Sequence, residues 1–269
     1  MKRVYGNTTG LKANQMRRLE RLYRRKIPPA YIVTAEVAKE LTRLSTDIRR
    51  QIGLLINRNG KIKFVIIGDH QKIVIPNLEE YRTAPGRLRG LRCVHTHLKS
   101  EALSKDDLTD LAFLRLDLMS AITISSNGLP QEIHVGHILP HHPTDGMYQT
   151  LPPLKSHQLN IDCVGLIRAL EDELAVGRPA THSDAAVEKA ILVSVTAEGM
   201  RQASDSLKEL NVLALSCGIS VVGSFIQHRT RPDARFLLGR GKLEELTLAA
   251  LTRGATLLIF DQELNASQM

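Results

Sequence analysis

The residues best suited to chemistry lie near the middle of the chain, in His95-Thr-His97 followed by Ser104-Lys-Asp-Asp107. On a β-strand, residues i and i+2 point to the same face, so His95 and His97 can direct two imidazoles at one metal ion. Asp107, one turn into a following helix, supplies a third ligand and leaves a fourth position for water. This spacing predicts a divalent-metal site formed by His95, His97 and Asp107.

A second interpretation explains part of this motif without a metal. Ser104 with Asp107 three residues later is typical of a helix N-cap, and Ser-Lys-Asp-Asp before Leu108 favours the start of a helix in any protein. This interpretation accounts for Ser104 and Asp107 but not for two histidines on one face of a strand. From the sequence alone both interpretations stay open.

The string resembles the metal-binding motif of the JAMM family of zinc isopeptidases, also called MPN or JAB, and of their RadC-like relatives. The resemblance implies zinc held by His95, His97 and Asp107, with Ser104 stabilising the oxyanion and a glutamate from an upstream strand acting as general base. At that upstream position the sequence has Gln51, whose amide cannot accept a proton at neutral pH. We therefore expect a JAMM-like α/β/α module that is catalytically poor, since loss of a base costs roughly 10²–10⁴-fold in rate.

The turn Gly239-Arg240-Gly241-Lys242 is a second candidate site. Glycines before a helix N-terminus, with Arg240 and Lys242 beside them, favour binding of a phosphate or a nucleotide, and the alternative is a tight turn with a solvated lysine. The turn is not a P-loop, because Phe236 occupies the position of its first glycine and Leu243 that of its hydroxyl residue. GTP hydrolysis by this chain is not expected.

Asp261 completes the set of candidate residues. It follows the apolar run Thr256-Leu-Leu-Ile-Phe260, and open α/β sheets bind ligands at the carboxyl ends of their strands. The alternative role for Asp261 is an N-cap of a following helix.

The surrounding pattern predicts two small α/β domains. The first spans 29–139 and is expected to contain a helix and then strands over 51–56, 63–67, 72–75 and 91–95, a helix over 105–120 and strands over 121–125 and 132–136. A Pro-rich linker with one helix is predicted over 140–187. From 188 to 269 the order is βαβαβ, which is typical of nucleotide-domain folds.

Several blocks of the last eighty or so residues occur in a recognisable order: Leu192-Val-Ser-Val195, Leu207-Lys-Glu-Leu210, Gln227-His-Arg-Thr-Arg-Pro232, Leu238-Gly-Arg-Gly-Lys-Leu-Glu-Glu-Leu246 and Leu258-Ile-Phe-Asp-Gln-Glu-Leu264. Over about 186–269 they resemble the N-terminal domain of the HflX family of ribosome-associated GTPases. The resemblance implies a domain that binds the large ribosomal subunit and its RNA. In complete members a helical hairpin and a GTPase domain follow, and GTP and Mg²⁺ are expected only there.

Because the pattern stops at Met269, we expect an N-terminal fragment of an HflX-like protein that acts as a binding module. A zinc-dependent amidase or isopeptidase is the competing hypothesis, and Gln51 is the residue that discriminates between them. The absence of an 18-residue apolar run and of a signal-peptide core favours a cytoplasmic protein without a membrane partner. Three widely spaced cysteines favour reduced thiols.

The net charge of +8 is concentrated at the N-terminus. Residues 1–28 hold nine lysines and arginines against one acid, Glu20, which leaves 27 basic and 27 acidic residues in the remainder. Leu11, Met16, Leu19 and Leu22 recur at roughly helical spacing, so an amphipathic helical arm is predicted. Its cationic face is either solvated, with the arm packed on the next domain, or in contact with RNA phosphate.

Overall fold

The computed structural model describes residues 3–78, 80–81, 87–139, 148–176, 188–197, 199–229 and 237–264. The chain divides into two compact units, unit 1 (Met1–Arg178) and unit 2 (Pro179–Met269). Both are mixed α/β, as the sequence predicts. Within the described ranges, no helix combines the length and the apolar character needed to cross a bilayer.

Unit 1 is built on a mixed seven-stranded sheet with the order β1-β3-β2-β4-β5-β6-β7. The pairs β1/β3 and β4/β5 are parallel, and the other neighbours are antiparallel. The central strand, β4, is buried along its whole length. In chain order the strands are β1 (Val4–Gly6), β2 (Ile52–Asn57), β3 (Ile62–Ile67), β4 (Leu91–His97), β5 (Leu118–Ile124), β6 (Pro130–Ile138) and β7 (Tyr148–Thr150).

Helices cover both faces of this sheet, which explains its continuous apolar runs. On one face, α1 (Ala13–Leu22), α2 (Ala35–Ile48) and α4 (Cys163–Val176) form a core with alternate strand residues such as Val94. On the other face, α3 (Lys105–Phe113) packs in a second core that contains Cys93. Because side chains alternate along β4, His95 and His97 share the α3 face with Cys93.

The predicted hairpin over 51–67 is present, and Gly60 is the residue that its turn requires. Gly60 has a φ of +77°, and a Cβ there would lie 1.7 Å from the carbonyl oxygen of Ile27. The Asn57 side chain accepts a hydrogen bond from the Lys61 backbone N–H within the same turn. Any residue other than glycine at position 60 would therefore strain the backbone and clash with the backbone of Ile27.

Two predicted elements of unit 1 are wrong. Residues 72–75 form no strand, because the Asp69 side chain accepts bonds from Gln71 N and Lys72 N in a turn, and β1 occupies the outer edge of β3. The helix predicted over 105–120 ends at Phe113, because Arg115 adopts a φ of +51° and residues 118–124 form β5. Apolar content alone did not separate the helix from the following strand.

Segments predicted to flank the first domain pack into unit 1. In the N-terminal arm, Leu19 and Leu22 of α1 are completely buried in the core shared with α2. In the range 140–187, β7 pairs with β6, and Ile167 and Leu170 of α4 join the same core. The Pro-rich stretch at 140–147 lies outside the described residues.

An ionic cluster fixes α4 to the loops at the end of the sheet. The carboxylate of Glu171 is 4% exposed and accepts hydrogen bonds from Arg58, Arg87 and the Leu88 backbone N–H at 2.7–3.3 Å. Arg58 also forms a bidentate pair with buried Asp117 at 2.9 Å. Burial opposes ionisation of Glu171, but these donors outweigh it and lower its pKa to about 2.

Unit 2 has the predicted βαβαβ order in a three-stranded parallel sheet, β10-β8-β9. Its elements are β8 (Lys189–Thr196), α5 (Met200–Ser216), β9 (Ser220–His228), α6 (Arg240–Arg253) and β10 (Leu257–Phe260). Among the described residues its buried core cluster is small and consists of Ile191, Val193 and Leu246. Val212, Leu213 and Leu215 of α5 are more than half exposed.

Candidate metal centre

Two histidines reach the α3 face from the C-terminal end of β4. His95 is completely buried and His97 is 2% exposed. The neighbours of His95 across the sheet are Gly53 on β2 and Ala121 on β5. A Cβ at Gly53 would lie only 3.7 Å from that of His95 and 2.8 Å from Ile73 Cδ1. Small residues on both sides therefore leave space for the imidazole of His95 above the sheet.

Asp107 reaches the same place from the first turn of α3. Ser104 is the N-cap, its hydroxyl oxygen accepts a bond from Asp107 N, and Asp107 Oδ2 accepts bonds from Ser104 N and Oγ at 2.7 Å. The helix-cap interpretation is thus confirmed. The same carboxylate nevertheless faces both histidines, so capping the helix orients Asp107 rather than occupying all of its acceptor sites.

The three side chains bring their candidate ligand atoms close together. His95 Nε2 lies 2.9 Å from His97 Nε2 and 3.2 Å from Asp107 Oδ1, and His97 Nε2 lies 3.4 Å from Asp107 Oδ2. A tetrahedral zinc ion with bonds of about 2.0–2.2 Å would separate its ligand atoms by about 3.3–3.6 Å. The donor set fits zinc, and one ligand atom from each residue lies within 4.8 Å of the others, so the side chains would need to adjust to close around the ion.

The tautomer of neutral His97 suits metal binding through its Nε2 atom. Its Nδ1 lies 3.1 Å from the carbonyl oxygen of Glu101, which can only accept, so Nδ1 donates. In the neutral ring the lone pair is then on Nε2, which points to His95 and Asp107. A backbone carbonyl behind a histidine is a common way for proteins to fix the tautomer of a metal ligand.

The ionised carboxylate of Asp107 makes the cluster suitable for binding a cation. Burial by itself raises the pKa of Asp107, but hydrogen bonds from His95, His97 and Ser104 lower it well below its usual range. Burial favours neutral His97, yet the hydrogen bond and charge of Asp107 raise its pKa. A buried carboxylate that stays ionised requires a nearby positive charge, which either a proton on a histidine or a divalent metal can provide.

Gln51 lies one residue before β2 and, two residues from Gly53, on the same face as His95. It is 1% exposed, its Nε2 donates to the carbonyl oxygen of Gln71 at 2.8 Å, and its Oε1 has no partner among the described residues. The Nδ1 of His95 is likewise buried without a described partner. Gln51, the position predicted for the degenerate base, is therefore buried on the same face of the sheet as the cluster. Its side chain presents an amide oxygen there instead of a carboxylate.

His134 is a residue of this region that the sequence did not single out. It lies on β6 opposite Ala121, which is itself opposite His95, so the three occupy one row across the sheet. Burial lowers the pKa of His134; Glu132, 3.8 Å away, opposes this shift and the charge of His97 adds to it. No local sequence signal could identify His134, because its strand, β6, is separated from β4 by β5 in the sheet and the two strands come near each other only through tertiary pairing.

The candidate residues of unit 2 lie at the start of α6. Gly239 is the N-cap with a φ of −69°, and its N–H donates to Gln227 Oε1 at 2.9 Å. Lys242 pairs with Glu245 at 2.9 Å and lies 5.0 Å from the centre of the Phe225 ring. Gly241 faces open space, and the Arg240 side chain lies outside the described residues. Anion binding at this turn stays a prediction.

Asp261 follows β10, and its backbone N–H donates to Val193 O at 3.1 Å. Its Oδ1 is buried without a partner in the part of the chain that is described. The final segment 265–269 and residues 230–236 lie outside that part, so the end of the block Gln227-His-Arg-Thr-Arg-Pro232 is not described. A ligand-binding role for Asp261 also stays a prediction.

Comparison with known proteins finds a family match within unit 2. The model of the family "GTP-binding GTPase N-terminal" matches residues 204–269, within unit 2. The GTPase HflX of Flavobacterium psychrophilum is 36% identical over 83 residues, which are 30% of this chain and 20% of that protein.

Two further relatives bear the same name. The GTPase HflX of Caldanaerobacter subterraneus is 33% identical and that of Lacrimispora saccharolytica 35% identical, each over 82 residues, or 30% of this chain and 19% of the relative. The matched part spans about a fifth of the length of these relatives. Residues 204–269 of unit 2 are therefore similar to the N-terminal region of GTP-binding GTPases.

Proposed function

We propose that unit 2 works as the ribosome-binding N-terminal domain of an HflX-like GTPase, with the large ribosomal subunit and its RNA as partner. The observation that carries this proposal is the family match over residues 204–269, supported by relatives named GTPase HflX. The complete βαβαβ order of unit 2 agrees with it. The ribosome as partner follows from the resemblance to the HflX family.

Co-sedimentation of the full chain with purified large subunits tests this proposal. Binding should weaken steeply as salt increases, because each neutralised phosphate releases counterions. It should be indifferent to GTP, because the sequence contains no P-loop. The variant Arg240→Ala with Lys242→Ala should weaken binding if the α6 turn contacts phosphate.

Small subunits serve as the control for general attraction between a basic protein and RNA. Equal sedimentation with both subunits, or none with large subunits at low salt, would count against the proposal. A clear response to GTP would instead reveal a nucleotide site in this chain.

A second function is favoured by the geometry of unit 1, namely binding of one zinc ion by His95, His97 and Asp107. The observation that carries it is the close approach of the three side chains, whose candidate ligand atoms, one from each residue, all lie within 4.8 Å of one another. The resemblance of this motif to that of the JAMM isopeptidases supports the same proposal. When bound, zinc would lower the pKa of a coordinated water to about 7. Gln51 cannot remove the proton of that water, so slow hydrolysis or none is expected.

Elemental analysis of untagged, zinc-loaded protein should find close to one equivalent of metal. His97→Ala should lose it, whereas His137→Ala should retain it, since His137 is a buried histidine of the same sheet that lies outside the cluster. Absence of metal from the loaded wild type would remove the proposal.

The same proposal makes Gln51→Glu the substitution that should raise amide hydrolysis most, by up to roughly 10²–10⁴-fold. Fast hydrolysis by the wild type that His95→Ala abolishes would show that another group supplies the base, and that unit 1 is an active enzyme.

A further inference from the structure

The arginines of α1 and of the turn that follows it separate into two sets in the structure. Arg18 pairs with Asp47 at 3.3 Å, and Arg25 pairs with Glu40 at 2.9 Å. The other set consists of three exposed residues that line a shallow open concavity together with Glu20, and we call it the arginine stripe: Arg17, Arg21 and Arg24. Among the described residues, no carboxylate lies within 4 Å of a stripe guanidinium.

The stripe is held on a fixed element. Its members are four and three residues apart, on α1 and the turn that continues it, so they project from one side of the helix. The opposite side of α1 is anchored by Leu19 and Leu22, which are completely buried. Like charges at this spacing destabilise a helix, so the stripe is not explained by the stability of α1.

The chemistry of the stripe selects its ligand. Guanidinium groups bind phosphate oxygens through paired hydrogen bonds, and three in a row match a chain of phosphates better than a single anion. No large apolar side chain of α1 is among the exposed ones, which disfavours insertion into a lipid surface. Glu20 lowers the formal charge of the concavity to +2 without pairing with the stripe.

We propose that Arg17, Arg21 and Arg24 bind the phosphate backbone of an RNA strand. The choice of RNA rests on the ribosomal partner proposed for unit 2, whereas the stripe itself belongs to unit 1. Binding is sequence-independent, because backbone phosphates carry no base information. Unit 1 thus adds a non-specific RNA contact to a chain whose family match lies elsewhere.

The test measures the affinity of the full chain for labelled oligo-uridine RNA by fluorescence anisotropy at several salt concentrations. Arg17→Gln with Arg21→Gln removes two phosphate contacts, so the slope of log K against log salt should become shallower by about 1.4, at about 0.7 per phosphate of a single strand. At low salt the affinity should fall on the order of tenfold.

Arg18→Gln with Arg25→Gln is the matched control, because it removes the same charge from neighbouring positions that are already paired. The control should keep the wild-type slope, and both variants should keep the wild-type circular dichroism spectrum and melting temperature. If the two double variants weaken binding equally, net charge rather than the stripe is responsible and the inference is wrong. A stripe-dependent association with anionic phosphatidylglycerol vesicles but not with RNA would also overturn it.

This outcome is distinguishable from failure of the ribosome proposal. If large subunits bind the wild type while oligo-uridine does not, the stripe inference fails and the function proposed for unit 2 stands. If oligo-uridine binds through the stripe while large subunits do not sediment, the reverse holds.

Discussion

Unit 1 and unit 2 bury their apolar side chains to different extents. In unit 1 a seven-stranded sheet carries a core on each face, and β4 is buried at every position. Among the described residues of unit 2, a three-stranded sheet supports one small buried cluster, and six of the eight exposed large apolar residues of the described chain lie there, namely Met200, Val212, Leu213, Leu215, Leu243 and Leu258.

The difference in burial is consistent with the position of the preformed cluster of reactive side chains, which lies in unit 1. Polar groups held away from water interact strongly, and the buried His95, His97 and Asp107 of unit 1 lie in contact with one another. In unit 2 the charged Lys242 pairs locally with exposed Glu245. The family match, however, lies in unit 2. Likeness to a known family and a preformed cluster of reactive groups therefore occur in different parts of this chain.

The largest effect is expected from Glu171→Ala, which leaves Arg58 and Arg87 without their shared acceptor. The buried Leu88 N–H loses its acceptor and Arg58 loses a charge-assisted hydrogen bond, each worth roughly 1–3 kcal/mol, so unit 1 should be destabilised by about 3–5 kcal/mol in total. Tyrosine fluorescence during urea unfolding reports unit 1 selectively, because all five tyrosines lie in it and the chain has no tryptophan. Glu173→Ala, an exposed residue of the same helix, should change stability by less than about 0.5 kcal/mol. A loss below the cost of one exposed pair would contradict the role assigned to Glu171.

The ionisation of Glu171 also predicts a pH dependence. Its pKa is lowered from 4.5 to about 2 in the folded state, so its stabilising effect is complete above pH 4.5 and is lost as the pH falls towards 2. The stability difference between wild type and Glu171→Gln should therefore narrow over this range. Urea unfolding at a series of pH values measures it, and a constant difference would show that ionisation of Glu171 is not involved.

Matched core truncations compare the two units directly. Val94→Ala at the centre of unit 1 should cost about 2–3 kcal/mol, because packing on both sides of the sheet prevents collapse of the cavity. Val193→Ala in unit 2 should cost about 1–2 kcal/mol, because its smaller core relaxes more easily. Hydrogen exchange followed by mass spectrometry resolves both units in one experiment. Equal costs would mean that the exposed apolar residues of unit 2 do not reflect looser packing.

The smallest effect on stability is expected from Ser104→Ala. Loss of the N-cap should cost about 1 kcal/mol. Because Ser104 also orients Asp107, zinc affinity should fall roughly 10–100-fold, as for other supporting residues of metal sites. Ser100→Ala, which removes one exposed hydrogen bond to Gln131, should leave both quantities nearly unchanged. Competition with a chromophoric chelator measures the affinity, and an unchanged value for Ser104→Ala would separate the helix cap from the metal centre.

Local sequence signals determined a substantial part of this structure. Alternation along a strand placed His95 and His97 on one face, and the spacing of Ser104 and Asp107 specified the capping box. Asn57 to Gly60 specified a tight turn, and the apolar periods from 188 onwards specified βαβαβ. Each of these features depends on residues within a few positions of one another. A local sequence pattern is therefore enough to predict it.

Only the tertiary structure decided which distant residues meet. It placed β1 rather than residues 72–75 beside β3, turned Asp107 towards both histidines, and put His134 in the row of His95. It also fixed α4 through Glu171 and separated the paired arginines of the N-terminus from the stripe. These outcomes depend on strand pairing and on charges separated by many residues, for which the sequence carries no local pattern.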